Sequence, residues 1–100
     1  MKRLLLLLAL APAAAGAGDP ERGAELAAEC AACHGPTGAE PIAANPIIAG
    51  QHEDYLLRSL RVYRSQERAN QVMYPLVKDL SDQDLQDLAA YYAAQPSALR

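Results

Sequence analysis

The sequence has no tryptophan and no phenylalanine, and its only aromatic rings are five tyrosines. Without those large apolar side chains a short chain buries only a thin core, and domains of this size often rely on a metal, a cofactor or disulfides for stability. Cysteine is scarce as well, confined to Cys30 and Cys33. No second thiol pair exists to complete a four-ligand zinc site, and His52 is the one further histidine beyond His34. Basic residues are too few to balance the acidic ones: the net charge is −3 and becomes more negative if Lys2 and Arg3 are removed with a leader. That balance argues against nucleic acid or anionic lipid as partner, and it suggests steering towards a basic docking surface. No stretch alternates polar and apolar residues as a half-buried strand does, and no internal repeat is present.

What the chain does have is Cys30-Ala31-Ala32-Cys33-His34. Cys-x-x-Cys-His is the covalent attachment pattern of a c-type haem. Three positions apart on a helical turn, the two sulfurs share a face from which each can add to a porphyrin vinyl group and form a thioether. The adjacent imidazole then serves as proximal ligand of the iron. Competing readings are a redox dithiol, a structural disulfide and half of a zinc site. The dithiol would need a preceding strand and a βαβ frame, which the Ala-rich flanks do not offer.

The amino terminus reads as a secretory leader. Met1-Lys2-Arg3 precedes an apolar run from Leu4, followed by the small residues Pro12 to Ala17. Ala15 and Ala17 fit an Ala-x-Ala site, with cleavage expected after Ala17 and a cut after Ala15 as the alternative. The run from Leu4 to Ala17 is shorter than the roughly 20 residues a membrane span needs. Residues 1–17 are thus expected to be a signal peptide and residues 18–100 one monohaem domain, located in the periplasm. Haem attachment to this motif takes place outside the cytoplasm, so leader and motif agree independently.

The remaining pattern is helical. Asp19-Pro20-Glu21 is a helix start, predicting a helix from Pro20 to Cys33 that Gly35-Pro36 ends. Residues 35–51, rich in Gly and Pro, read as a long loop that needs something to pack on, such as a haem edge. A second helix is predicted from Glu53 to Arg64, burying Tyr55, Leu56, Leu60 and Tyr63 and exposing Arg58, Arg61 and Arg64. Asn70 to Met73 suggest a helical turn, Pro75 should hold Tyr74 extended, and Leu76 and Val77 read as buried. Ser81-Asp82-Gln83-Asp84 opens a last helix, which Pro96 closes. The expected fold is all-α, with about four helices around one covalently bound haem.

The second axial position of the iron has three candidates. Met1 leaves with the leader, so Met73 is the one thioether of the mature chain, and a thioether stabilises the ferrous form and raises the potential. Beside Val72 and Leu76, Met73 also reads as an ordinary core residue. His52, next to Glu53 and Asp54 at a helix start, reads as solvent-facing, and an open site is the third alternative.

Together these residues resemble the class I c-type cytochromes, most closely the small monohaem bacterial members and the single halves of the diheme periplasmic cytochromes. Beyond the haem motif, the likeness includes Asn45 to Gln51, Asp54-Tyr55-Leu56, Arg68 ahead of Met73, and Leu80-Ser81-Asp82 opening a helix that ends Leu88-Ala89-Ala90-Tyr91-Tyr92. The resemblance implies a Pro46 carbonyl that accepts the Nδ1 hydrogen of His34. It also implies a helix crossing between Gly23 and Tyr91, with Tyr92 as the alternative, and Tyr55 and Arg68 near the haem. The function it implies is one-electron transfer by a His34/Met73 haem c to redox protein partners, with no catalytic residues of its own. The alternative is the electron-accepting haem subunit of a larger periplasmic dehydrogenase, such as a flavocytochrome sulfide dehydrogenase; fold alone does not separate the two. Catalysis or gas binding at an open iron is a third class.

Overall fold

The computed structural model describes residues 18–39 and 46–97; the leader and Asn45 lie outside them. Five helices follow in order: α1 (Pro20–Leu26), α2 (Ala31–His34), α3 (Glu53–Ser65), α4 (Met73–Val77) and α5 (Asp82–Ala93). No strand occurs among the described residues, in agreement with the all-α expectation.

α1 starts as its sequence requires. The Asp19 carboxylate accepts the Glu21 N–H at 3.0 Å, and Pro20 sits at the first helical position, where a missing N–H costs nothing. The single helix expected over 20–33 is instead interrupted between Leu26 and Ala31. There the Cys30 N–H reaches back only three residues, to Ala27 O at 2.9 Å. Such a turn winds tighter than an α-helix, three residues per turn instead of 3.6, so the chain leaves α1 on a rotated face. Ala27, 4 % exposed, is held in the core at the start of that turn.

α5 is the central element, packing against both α1 and α3. Its start is a full capping box: Ser81 Oγ accepts the Asp84 N–H at 3.0 Å and the Asp84 carboxylate accepts the Ser81 N–H at 3.0 Å. Where α1 crosses it, Gly23 lies so close to the Asp87 carbonyl that an added Cβ would stand 2.7 Å from that carbonyl carbon and 2.8 Å from Tyr91 Cβ. The crossing partner of Gly23 is therefore Tyr91, not Tyr92.

The core is built by Ala27, Leu56, Leu88, Ala89 and Tyr92, with Leu57 and Leu60 of α3 packed against it. Tyr55, expected inside, is 53 % exposed. Leu56 is the one buried residue of α3; Leu60 and Tyr63, also expected inside, are half-buried, and Tyr55 falls one residue, about 100°, off the line of Leu56 and Leu60. Arg64, expected outside, is half-buried: its guanidinium donates to Leu80 O at 3.1 Å and to Asp82 at 3.1 Å. An Arg stem can lie along apolar surface while its head finds acceptors at the edge.

α4 corrects a further expectation. Tyr74 is helical, because Pro75 falls in the first turn of α4, where no intrahelical N–H bond is needed. The turn expected at residues 70–73 is present as a side-chain cap: Asn70 Oδ1 accepts the N–H groups of Val72 and Met73, both at 2.8 Å. Val77 is buried at 2 % exposure, as expected, whereas Leu76 is only half-buried.

Candidate haem-attachment site

His34 closes α2 and is 8 % exposed. Its Nδ1 lies 2.8 Å from Pro46 O. A carbonyl oxygen can only accept, so Nδ1 carries the hydrogen, and Nε2 is left with its lone pair available to a metal. The bond ties the motif to the far end of the loop, twelve residues on. At the loop's neck, Gly38 O accepts the N–H groups of Ile48 and Ala49 at 2.8 and 3.1 Å.

Cys30 and Cys33 are half-buried thiols on the turn and helix leading to His34. Burial pushes the Cys30 thiol above its ordinary range; the Tyr92 hydroxyl opposes that shift and Glu29 adds to it. Cys30 is therefore protonated at neutral pH, packed against the core cluster that contains Tyr92.

Met73 opens α4, half-buried. It lines a cleft of about 360 Å³ together with Cys30, Leu26, Leu76, Leu80 and Leu88. The structure thus brings Cys30 and Met73, 43 positions apart in the chain numbering, to one apolar cleft; Cys33 and His34 are not among its lining residues. Glu25 and Glu29, both exposed, form part of its rim. His52 is elsewhere, exposed at the N-cap of α3.

These residues fit a covalently held porphyrin. The donor set comprises two thiols on successive turns, an imidazole locked in the ligating tautomer and a thioether, and the cleft that two of the sulfurs reach has the apolar walls a porphyrin face requires. Tyr55 and Arg68 share a separate groove of about 330 Å³ with Arg58, Ser59 and Val62. The Arg68 guanidinium there donates to the Tyr63 hydroxyl at 3.3 Å and lies 5.3 Å from its ring centre.

One buried residue escapes a reading by apolar periodicity because it is an acid, while Tyr92 falls on the helical stripe of Leu85, Leu88 and Ala89. Asp87 is 1 % exposed and accepts from the Asp19 N–H at 2.8 Å, Gln83 at 2.9 Å and Arg22 at 3.0 Å. Its signal was its place in line with Asp84 and Tyr91 at helical spacing, a row that Gly23 allows α1 to approach. Tyr92 is 4 % exposed, with a buried hydroxyl that makes no hydrogen bond of ordinary geometry.

Comparison with known proteins adds to this geometry. The family model for cytochrome c matches residues 20–94. Cytochrome c4 of Thiocapsa roseopersicina is 46 % identical over 85 residues, which cover 84 % of this chain and 44 % of that protein. Cytochrome c-554(548) of Halomonas halodenitrificans is 38 % identical over 82 residues, 79 % of this chain and 99 % of that one. The crystal structure of reduced recombinant cytochrome c4 from Pseudomonas stutzeri superposes with a TM-score of 0.76 at 39 % identity, covering 80 % of this chain and 47 % of that chain. The chain spans about half the length of the cytochrome c4 relatives it matches.

Proposed function

The chain belongs to the cytochrome c family, and from that premise we propose that it is a periplasmic one-electron carrier. Haem c would be held through Cys30 and Cys33, with His34 and Met73 as the residues that would ligate its iron. When bound, haem c supplies the redox chemistry, gaining and losing one electron without making or breaking a substrate bond.

The work of the protein residues is to hold and tune that group. Pro46 O, by taking the Nδ1 hydrogen, fixes the tautomer of His34 and raises the basicity of its other nitrogen. Leu26, Leu76, Leu80 and Leu88 keep the cleft apolar, which excludes water and favours the less charged reduced state. The observation that carries the reading is that Met73 shares this cleft with Cys30. A soft second ligand from Met73 would occupy the position that catalysis or gas binding needs open.

Glu25 and Glu29 on the cleft rim support a redox protein partner with a basic docking surface. No described helix is long and apolar enough to cross a membrane. Substituting Met73→Ala is expected to abolish the weak red absorption band of the oxidised protein that reports a sulfur–iron bond, and to lower the reduction potential. Survival of that band in the variant would show that another group is the ligand.

A further inference from the structure

The groove beside α3 is set apart from the cleft that holds Met73, because the two share no lining residue. Tyr55, Ser59 and Val62 recur there at helical spacing and so form one outward stripe of α3. Tyr55 is 53 % exposed and Val62 half-buried. An exposed tyrosine flanked by arginines is the kind of surface that carries binding energy at protein interfaces.

The charges of this groove set it off from the rest of the molecule. Arg22, Arg61 and Arg64 each donate to an aspartate of α5. Arg58, exposed, has no carboxylate partner among the described residues, and the Arg68 guanidinium has the Tyr63 hydroxyl and ring instead of an acid. The groove also holds the opposite charge. Glu67, exposed just past the C-terminus of α3, accepts from the Ser65 hydroxyl at 3.3 Å and pairs with no cation among the described residues. Arg58 and Glu67 therefore stand on opposite sides of Val62 along one helix. A patch with one sign on each side of a centre is complementary to itself under a two-fold rotation through that centre. Two copies of α3 laid antiparallel across Val62 bring the Arg58 of each towards the Glu67 of the other, and Arg68 towards the exposed Glu53 and Asp54 that begin α3.

We infer that this face of α3 seats a second copy of the same chain, forming a two-fold dimer through the groove. A patch of mixed sign fits a second copy better than an acidic protein or a free anion, either of which Glu67 repels. The 13-residue helix is about 20 Å long. One such face buries less than most stable interfaces do, so the dimer is weak and depends on concentration. Glu25 and Glu29 line the other cleft, so each copy keeps its acidic rim free for a redox partner.

Sedimentation velocity of the holoprotein at rising concentration is the test, and the parent is expected to pass from monomer to dimer. Arg58→Glu and Glu67→Arg should each weaken the dimer about tenfold or more, while keeping the haem spectrum and thermal midpoint of the parent. Mixed in equal amounts, the two variants should form a heterodimer, because each reversed charge then faces its opposite on the other copy. Lys78→Glu, at an exposed site outside the groove, changes the net charge as Arg58→Glu does and should leave the dimer in place. A parent that stays monomeric up to about 1 mM would overturn the inference. It would also fail if either groove variant dimerised like the parent, if the mixture stayed monomeric, or if Lys78→Glu weakened the dimer as much as Arg58→Glu.

Discussion

Gly23 shows how one missing side chain sets the geometry of the molecule. Replacing glycine by alanine inside a helix normally gains about 1 kcal/mol through propensity. Here the new methyl group would meet the Asp87 carbonyl, which is backbone of α5 and cannot rotate away. Overpacking of this kind costs about 1–3 kcal/mol, and more where the obstacle is rigid, so the steric term wins. Gly23→Ala is therefore expected to lower the denaturant midpoint by a net ~1–2 kcal/mol of stability. A midpoint that rises would mean that α1 and α5 can separate without loss. Tyr91 sits at this crossing, so the two adjacent tyrosines divide their roles, one closing the helix contact and the other buried in the core cluster.

At the scale of elements, α4 is the one to watch. Its five residues are too few to be a stable helix on their own. Its place is set by Val77 in the core at one end and by the Asn70 side chain at the other. Met73, the first residue of α4, donates its own N–H in one of the two bonds that Asn70 Oδ1 accepts. Asn70→Ala is thus expected to cost about 1 kcal/mol, the usual worth of a cap. It should also loosen the proposed Met73 ligand: on heating the oxidised protein, the red sulfur–iron band expected from that ligand should fade at a lower temperature than in the parent, with the haem still attached. Coincident loss of the band in both proteins would separate the cap from ligand placement.

For the whole molecule, two ionic groups fasten the outer helices to α5. Arg22 of α1 donates to Asp84 and Asp87, at 2.6 and 3.0 Å, and Arg61 and Arg64 of α3 donate to Asp82. All three carboxyls are held below the ordinary range. For Asp82 the leading cause is the Arg61 hydrogen bond, and for Asp84 it is the bond from Arg22. For Asp87 the largest effect is burial, which raises the pKa, and the Asp19 N–H, Gln83 and Arg22 together outweigh it. Because these folded values lie below the unfolded one, the unfolded chain takes up protons first as pH falls. The stabilisation is complete above the unfolded carboxylate value, about pH 4, and is lost as pH drops through the folded values. Asp82 is nearly half exposed and its pairs are screened, so buried Asp87 should dominate the effect. Asp87→Asn is expected to be less stable than the parent at pH 7 and to converge with it below about pH 4, as read from thermal midpoints across pH. A gap that persists at the lowest pH would mean that Asp87 acts by shape and not by charge.

The features legible from the sequence alone act within a turn or two. Cys30-Ala31-Ala32-Cys33-His34 identifies a haem-attachment pattern, Ser81 with Asp84 starts α5, Asp19 with Pro20 starts α1, and Met73 is the one thioether left once Met1 is set aside. The two helix starts depend on a side chain and a backbone group a few residues apart, the haem motif on three side chains within five residues and Met73 on being the one candidate of its kind, so spacing or a count is enough to find them. What the tertiary structure decided depends on partners far along the chain. The Asp19 N–H meets Asp87 across 68 positions, and the Tyr91 hydroxyl meets Pro36 across 55. The break after Leu26, the exposure of Tyr55, the helical state of Tyr74 and the division of labour between Tyr91 and Tyr92 all follow from how α1, α3 and α4 dock on α5. Helical periodicity states which residues share a stripe; only docking states where that stripe ends, because burial is a property of the neighbouring element. The motif that binds the haem is thus local chemistry, while the cleft that joins Cys30 to Met73 is a product of packing.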